Sequence, residues 1–260
     1  GVASLAVPEV LSATGCLLGL TLILLSQTNA IGWLKRLVPN TVLFGLRVAL
    51  AISLLTMIRD LPGLSYIGLA GLLAILIVLL RSQLKALASV TTVLVGWTIF
   101  GDVSGTEILE IGFHWPVILL PTLTAMGSAL ETTFLPQLAL TLTNALLLTA
   151  VIAQDYFPDD RNHLTERNFA LSSGVANFVL APIGAMPMCH GAGGLAAYHG
   201  LGSKTGWPVA VFGFACLGGA LLLGDQVVTI LRTLPSEVLG VLLVYAAWVL
   251  ADPVKIANVR

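Results

Sequence analysis

The sequence predicts an all-α polytopic membrane protein, and three observations lead there. Of 260 residues, 57% are hydrophobic and only 10% are charged, where soluble domains carry about 25% charged residues; the mean hydropathy is +0.97. Apolar runs long enough for membrane helices recur along the chain, and most charges sit in the short connections between them. Those connections alternate in basic content, as cytoplasmic and external loops do. Lipid offers no hydrogen-bond partners, so such runs are read as helices, which satisfy their own backbone. The net charge of −1 comes without a basic patch, so nucleic acid is excluded as a partner and the lipid bilayer is the expected surrounding. Cys16, Cys189 and Cys216 are an odd set in apolar context, which implies no disulfide framework.

Taken in order, Val7–Leu25 reads as the first span, with Glu9 near its start. Ile31–Asn40 carries Lys35 and Arg36, ends at Pro39, and reads as a connection at the membrane surface. Thr41–Ile58 is the second span and contains Arg47. An arginine inside a membrane costs about 2.5–3.5 kcal/mol on insertion scales. Arg47 is therefore either a candidate pathway residue facing the bundle or a side chain snorkelling to the interface. A turn at Arg59–Gly63 leads to the span Leu64–Leu80, then to Arg81 and Lys85, then to the shorter span Lys85–Phe100. Gly101–Trp115 is polar and acidic, and His114 and Trp115 read as interfacial. Pro116–Thr133 is apolar but irregular, with Pro121, Gly127 and Glu131. Phe134–Ala153 is a span whose Gln137, Thr141 and Asn144 stand at i, i+4 and i+7, on one helical face. That stripe either lines a cavity or bonds neighbouring helices. A mixed-charge loop, Asp155–Arg167, precedes Asn168–Ile183; Trp207–Gly224, Gln226–Leu234 and Glu237–Ala251 close the series, with Pro235 breaking the last pair.

Basic residues at Lys35/Arg36, Arg81/Lys85, Arg161/Arg167 and Lys204 alternate with neutral or acidic connections at Gly101–Trp115 and Gly224–Gln226. The basic side is expected to be cytoplasmic, so Val7–Leu25 runs inward; only Arg59, beside Asp60, dissents.

Gly184–Gly206 is the stretch that no lipid-facing helix tolerates. It is dense in glycine and holds Pro187, His190 and His199 between apolar segments. Irregular backbone at membrane depth is stable only within protein or beside a polar cavity. The stretch is read as a half-helix, with Pro187 suited to its start and the glycines after His190 allowing close approach of a ligand. A half-helix N-terminus attracts anions. The competing reading is a glycine-packed helix crossing through Gly193 and Gly194.

Enzyme chemistry finds no foothold. Cys189 and His190 are adjacent, so a helix would point them apart, and no carboxylate stands near to orient the histidine. No cysteine–histidine set has zinc spacing, and Gly-Lys-Ser/Thr is missing from the glycine run. Neither a metal nor a cofactor is expected.

Three segments then carry a resemblance: Leu135–Asn144 (LPQLALTLTN), Asp155–Asp159 (DYFPD) and Gly184–Ala197 (GAMPMCHGAGGLAA). Together with Trp33–Pro39 (WLKRLVP), they resemble the molybdate transporter family of plants and bacteria, itself taken as kin to the sulfate permeases. The resemblance implies an inverted-repeat transporter fold with discontinuous half-helices, a core domain and a gate domain. Residues 1–133 would be the remainder of the first repeat, and 134–260 the second repeat with the substrate half-helix at 184–206. It implies transport of molybdate, with a sulfate or other oxyanion permease as the nearer alternative and a non-transporting membrane scaffold subunit as the more distant one. The implied substrate contacts are Gln137, Thr141, Asn144, Cys189, His190, Gly191, Ala192 and Gly193. A co-transported ion and a homodimer are compatible with that family, as is a plasma, inner or organelle membrane. The family's first-repeat half-helix motif is absent, and Arg47 stands where glutamine is usual. The chain is accordingly expected to be a fragment lacking the N-terminal helices.

Overall fold

The computed structural model describes residues 8–28, 30–37, 39–82, 87–101 and 111–251. Lys85, the acids Asp102, Glu107 and Glu110, and the tail 252–260 lie outside the described residues. The described chain is helical throughout its regular structure: α1 (Pro8–Gln27), α2 (Ala30–Leu37), α3 (Asn40–Met57), α4 (Tyr66–Arg81), α5 (Ala88–Phe100), α6 (Leu123–Tyr156), α7 (Glu166–Leu180), α8 (Ala192–Gly200), α9 (Trp207–Leu223), α10 (Gln226–Arg232) and α11 (Ser236–Leu250). Among the described residues, α1 and α6 are long and apolar enough to cross a membrane alone, and α10 with α11 form a span bent by 80°. The protein is a multi-pass integral membrane protein.

One boundary differs from expectation. Pro116–Thr133 and Phe134–Ala153 were to be separate segments; instead residues 111–122 are non-helical and α6 runs unbroken for 34 residues. Pro136 would normally kink a helix by clashing with the preceding turn. Here a wider π turn at Leu130–Phe134 directly precedes it, and a second covers Thr141–Leu148. A single crossing also suits the charge pattern, since a connection without Lys or Arg precedes α6 and one carrying Arg161 and Arg167 follows.

The helices form two compact units. The first contains the described residues of Gly1–Val48 and Pro116–Leu195. Its spine is the seam between α1 and α7, where Gly15 and Gly19 repeat at the small-xxx-small spacing that lets membrane helices touch. A Cβ built on Gly19 would lie 2.5 Å from the Phe178 backbone nitrogen, and one on Gly15 would lie 2.6 Å from the Ala181 Cβ. Gly174 meets this surface from the other side, with Ile23 N at 3.0 Å from its built Cβ. Leu18, Leu22, Ile31, Leu146 and Ala170 form the adjoining core. Ser12 Oγ donates to the Leu119 carbonyl (2.6 Å) and Leu119 N–H to the Pro182 carbonyl (2.7 Å), fastening the non-helical 116–122 segment to α1 and to the end of α7.

The second unit contains the described residues of Ala49–Trp115 and Ala196–Asp252. Leu69, Leu72, Leu76, Ala88, Val238 and Val241 make its core. Glu237, buried at 6% exposure, accepts from Ser65 N–H (2.9 Å) at the start of α4, while Ser65 Oγ accepts from Gly68 N–H (3.2 Å). The carboxylate thus satisfies a helix-terminal donor that water would otherwise serve. Gly112 and His114 N–H groups donate to the carbonyls of Leu222 and Leu221 (3.0 and 2.8 Å), closing the end of α9.

The seam yields a stability prediction. Gly19→Ala forces a methyl against backbone atoms that have no alternative rotamer, an overpacking cost of about 1–3 kcal/mol. The purified variant should melt several degrees below wild type, and Gly45→Ala, whose built Cβ meets nothing within 4 Å, should not. Equal melting of Gly19→Ala and wild type would refute the close seam.

Candidate functional site

The candidate site is assembled by α6, α7 and the broken stretch, all in the first unit. Thr165 caps α7, its side chain accepting from Asn168 N–H (3.3 Å). The helix tightens into a 3₁₀ turn at Ala181–Ile183 and stops at Gly184, whose φ of 91° is left-handed. Ala185 N–H reaches back to the Leu180 carbonyl (3.1 Å) and Gly184 N–H to that of Ala181 (3.0 Å). This paired closure requires a residue without Cβ strain at Gly184.

From Ala185 to Gly191 the chain is non-helical, and its polar backbone is served by side chains. Asn177 is 1% exposed. Its Oδ1 accepts from Met188 N–H (2.9 Å), and its Nδ2 donates to the Met188 carbonyl (2.6 Å) and to that of Ser173 (2.7 Å). One amide therefore satisfies both polar groups of a residue that no helix serves. Two residues on, the Thr149 hydroxyl lies 3.1 Å from the His190 carbonyl and 2.9 Å from that of Asn144. This threonine bridges α6 to the broken stretch at the end of the π segment, a geometry that recurs at functional sites.

The His190 ring lies edge-on to Phe169 (centroids 5.1 Å apart), with Nε2 2.8 Å from Ser172 Oγ. Ser172 Oγ is also 3.2 Å from the Phe169 carbonyl. When Ser172 gives its single proton to Nε2, the neutral imidazole keeps an N–H at Nδ1, free to donate. When Ser172 donates to Phe169 instead, Nε2–H points at the serine and Nδ1 is an acceptor. The tautomer decides whether this ring attracts or repels an oxyanion.

Helix α8 begins at Ala192, with Leu195 N–H donating to the Gly191 carbonyl (3.0 Å) as its first bond. The four N–H groups from Gly191 to Gly194 precede any intrahelical partner. A Cβ on Gly191 would come no closer than 4.0 Å to another atom, the Gly194 nitrogen, and one on Gly194 would meet nothing within 4 Å. Neither glycine has a positive φ. They serve no left-handed turn and no close packing among the described residues, so there is room beside each of them.

The expected site residues are therefore partly gathered. Cys189 is half-buried, and His190 and Gly191 are exposed beside the buried Ala192 and half-buried Gly193. On α6, Gln137 is half-buried, and its side chain bonds no described residue. Asn144 Oδ1 is buried without a described partner. Thr141 is fully buried, and its hydroxyl donates to the Gln137 carbonyl (2.8 Å). From Thr141 to Leu148 the helix is a π segment, where the regular 3.6-residue spacing behind the stripe does not apply. Pro187 lies within the non-helical run rather than at a helix start, because α8 begins only at Ala192. Arg47 is 7% exposed, with Nε and Nη2 lacking a described partner, so it does not snorkel. It bonds none of the residues above. Sequence reading missed Asn177, Thr149, Ser172 and the buried Ser173, whose Oγ has no described partner. Ser173 and Asn177, four apart in an apolar helix, were the available signal.

Comparison with known proteins bears on the same segment. Residues 129–250 match a family described as "Molybdate transporter of MFS superfamily". Molybdate transporter 1 of Arabidopsis thaliana is 37% identical over 125 residues, covering 48% of this chain and 27% of the relative. Molybdate transporter 2 of the same plant is 36% identical over 124 residues, covering 48% and 26%. Molybdate transporter 1 of Chlamydomonas reinhardtii is 33% identical over 151 residues, covering 56% and 29%. The chain thus spans less than a third of each of these relatives. They are named as transporters, not enzymes. The family description names the MFS superfamily, and the expected kinship to sulfate permeases has no support among these relatives.

Removing the amide clamp tests the local architecture. Asn177→Leu leaves the Met188 N–H and carbonyl unpaired, at about 1–3 kcal/mol each. Amide exchange over residues 188–191 should accelerate while exchange in α4 and α5 stays unchanged. Wild-type protection at 188–191 in the variant would contradict the clamp.

Proposed function

We propose that this chain, whose residues 129–250 match the molybdate transporter family, is part of a permease that carries molybdate or a similar tetrahedral oxyanion across a membrane. The observation that supports the reading best is the start of α8: N–H groups that precede any intrahelical partner, beside two glycines whose built Cβ atoms come no closer than 4.0 Å to any described atom. A dianion entering a membrane loses its hydration, and pre-oriented donors replace water without reorganising. The positive end of the helix dipole adds to them.

In this reading the anion accepts hydrogen bonds from N–H groups of Gly191, Ala192, Gly193 and Gly194. His190 contributes through Nδ1–H in the tautomer that Ser172 selects. Gln137 and Asn144 supply further amide groups from α6, and Cys189 borders the site. Thr141 takes part indirectly, by holding the Gln137 carbonyl, and Arg47 is a pathway residue rather than a contact. The inverted-repeat fold with a core and a gate domain belongs to the same proposal. Supporting it, each compact unit draws on both sequence halves, 1–133 and 134–260. A co-transported ion would offset the substrate's charge, and a homodimer is compatible with the fold.

Uptake of labelled molybdate by the full-length protein in proteoliposomes, with sulfate as competitor, tests the reading. Saturable uptake that excess sulfate leaves intact supports a molybdate permease. Efficient competition by sulfate shifts the assignment to a general oxyanion permease. An absence of both uptake and binding defeats the proposal and favours a scaffold subunit.

Two variants test the site itself. Gly191→Val fills the open space with a β-branched side chain at a position where nothing described collides, so binding should be lost while melting stays near wild type. Wild-type molybdate affinity in this variant would remove the helix terminus from the site. Asn144→Leu should weaken binding about tenfold, the loss of roughly one hydrogen bond to a charged group, with little change in folded yield. Reduced stability with intact affinity would instead make Asn144 a helix–helix contact.

A further inference from the structure

Helix α2 is short and amphipathic, with the sequence AIGWLKRL. It lies in sequence between α1, which is long and apolar enough to cross a membrane, and the 18-residue α3, so its chain ends hold it near a membrane surface. Ile31, at 6% exposure, anchors it in the core with Leu18, Leu22 and Leu146. On the side away from Ile31, Ala30, Gly32, Trp33 and Arg36 line a cavity of about 460 Å³. Trp33 is 64% exposed, and Arg36 is exposed and bonds no described residue. Trp33 and Arg36 are three apart and share a helix face.

We propose that this cavity holds the phosphodiester headgroup of an anionic phospholipid. The guanidinium pairs with the phosphate oxygens in bidentate fashion. The indole lies at the level where tryptophan prefers the membrane interface, against the glycerol and upper acyl chain. Gly32, which has no side chain, lines the cavity beside Arg36, whose charge draws anionic lipid. A free phosphate would gain nothing from the tryptophan, so the pairing of an aromatic and a cation selects lipid. This site is independent of the oxyanion reading, because it needs only that the helices around α2 enter a bilayer.

The test uses the full-length protein, purified in detergent with equimolar phosphatidylglycerol and phosphatidylcholine, with retained lipid counted by native mass spectrometry. Wild type should retain phosphatidylglycerol in preference. Arg36→Gln should lower that preference about fivefold, the worth of one basic residue near an anionic surface, and Arg36→Lys should retain most of it. Trp33→Ala should reduce retention of both lipids. Excess inorganic phosphate should not displace the lipid. An unchanged preference in Arg36→Gln, or displacement by phosphate, overturns the proposal. If Arg36→Gln does not purify, phosphatidylglycerol with a photoreactive headgroup decides on wild type. Crosslinks within residues 30–36 support the site, and crosslinks only elsewhere overturn it.

Discussion

The first unit depends on one constraint: a non-helical run between apolar helices must find hydrogen-bond partners that lipid cannot give. Residues 185–191 find them in side chains of the flanking helices. The Asn177 amide takes both polar groups of Met188, and Thr149 reaches the His190 carbonyl. Those side chains can reach the run because α7 stands close to α1, and glycine at 15, 19 and 174 permits that approach. Seam, clamp and open helix terminus form one dependency. Thickening the seam displaces α7, which displaces Asn177, which releases the segment leading into α8.

Much of the fold was legible because hydrophobic length and charge alternation are strong signals in a membrane chain. The expected spans Val7–Leu25, Thr41–Ile58 and Trp207–Gly224 lie within a residue or two of α1, α3 and α9. The break at Pro235 appears as the bend between α10 and α11. The error at α6 has a physical cause. Pro121, Gly127 and Glu131 read as irregularity up to Thr133, but α6 passes Gly127 and Pro136 without a break, with a π turn just before the proline, and nothing in local composition announces it. The same π geometry bears on the i, i+4, i+7 stripe. Facing arguments assume a regular 3.6-residue turn, and from Thr141 to Leu148 that period does not hold.

The candidate site was legible in kind but not in its supports. The glycine run identified irregular backbone that needs protein around it. It did not say which side chains would supply the partners, because Asn177 and Thr149 meet Met188 and His190 through tertiary packing across 11 and 41 residues of sequence. Pro187 misled for a related reason. A proline suits the first turn of a helix, but it suits a non-helical run equally, and here the backbone stays non-helical through Gly191.

The glycines at 191 and 194 carry the last step by elimination. Glycine is selected for left-handed backbone, for close packing, or for room near a ligand. Gly184 answers to the first need and Gly19 to the second, each with a measurable signature in φ or in contact distance. Gly191 and Gly194 show neither signature, yet they stand where a helix exposes its unpaired donors. A site made of such donors also suits carriage better than one made of full charges. Fixed dipoles replace the hydration of a dianion while leaving it free to depart, whereas a desolvated arginine pair would hold it by several kcal/mol more. In the proposed reading Arg47 bonds none of the described residues at the start of α8, so the anion meets dipoles there rather than the guanidinium.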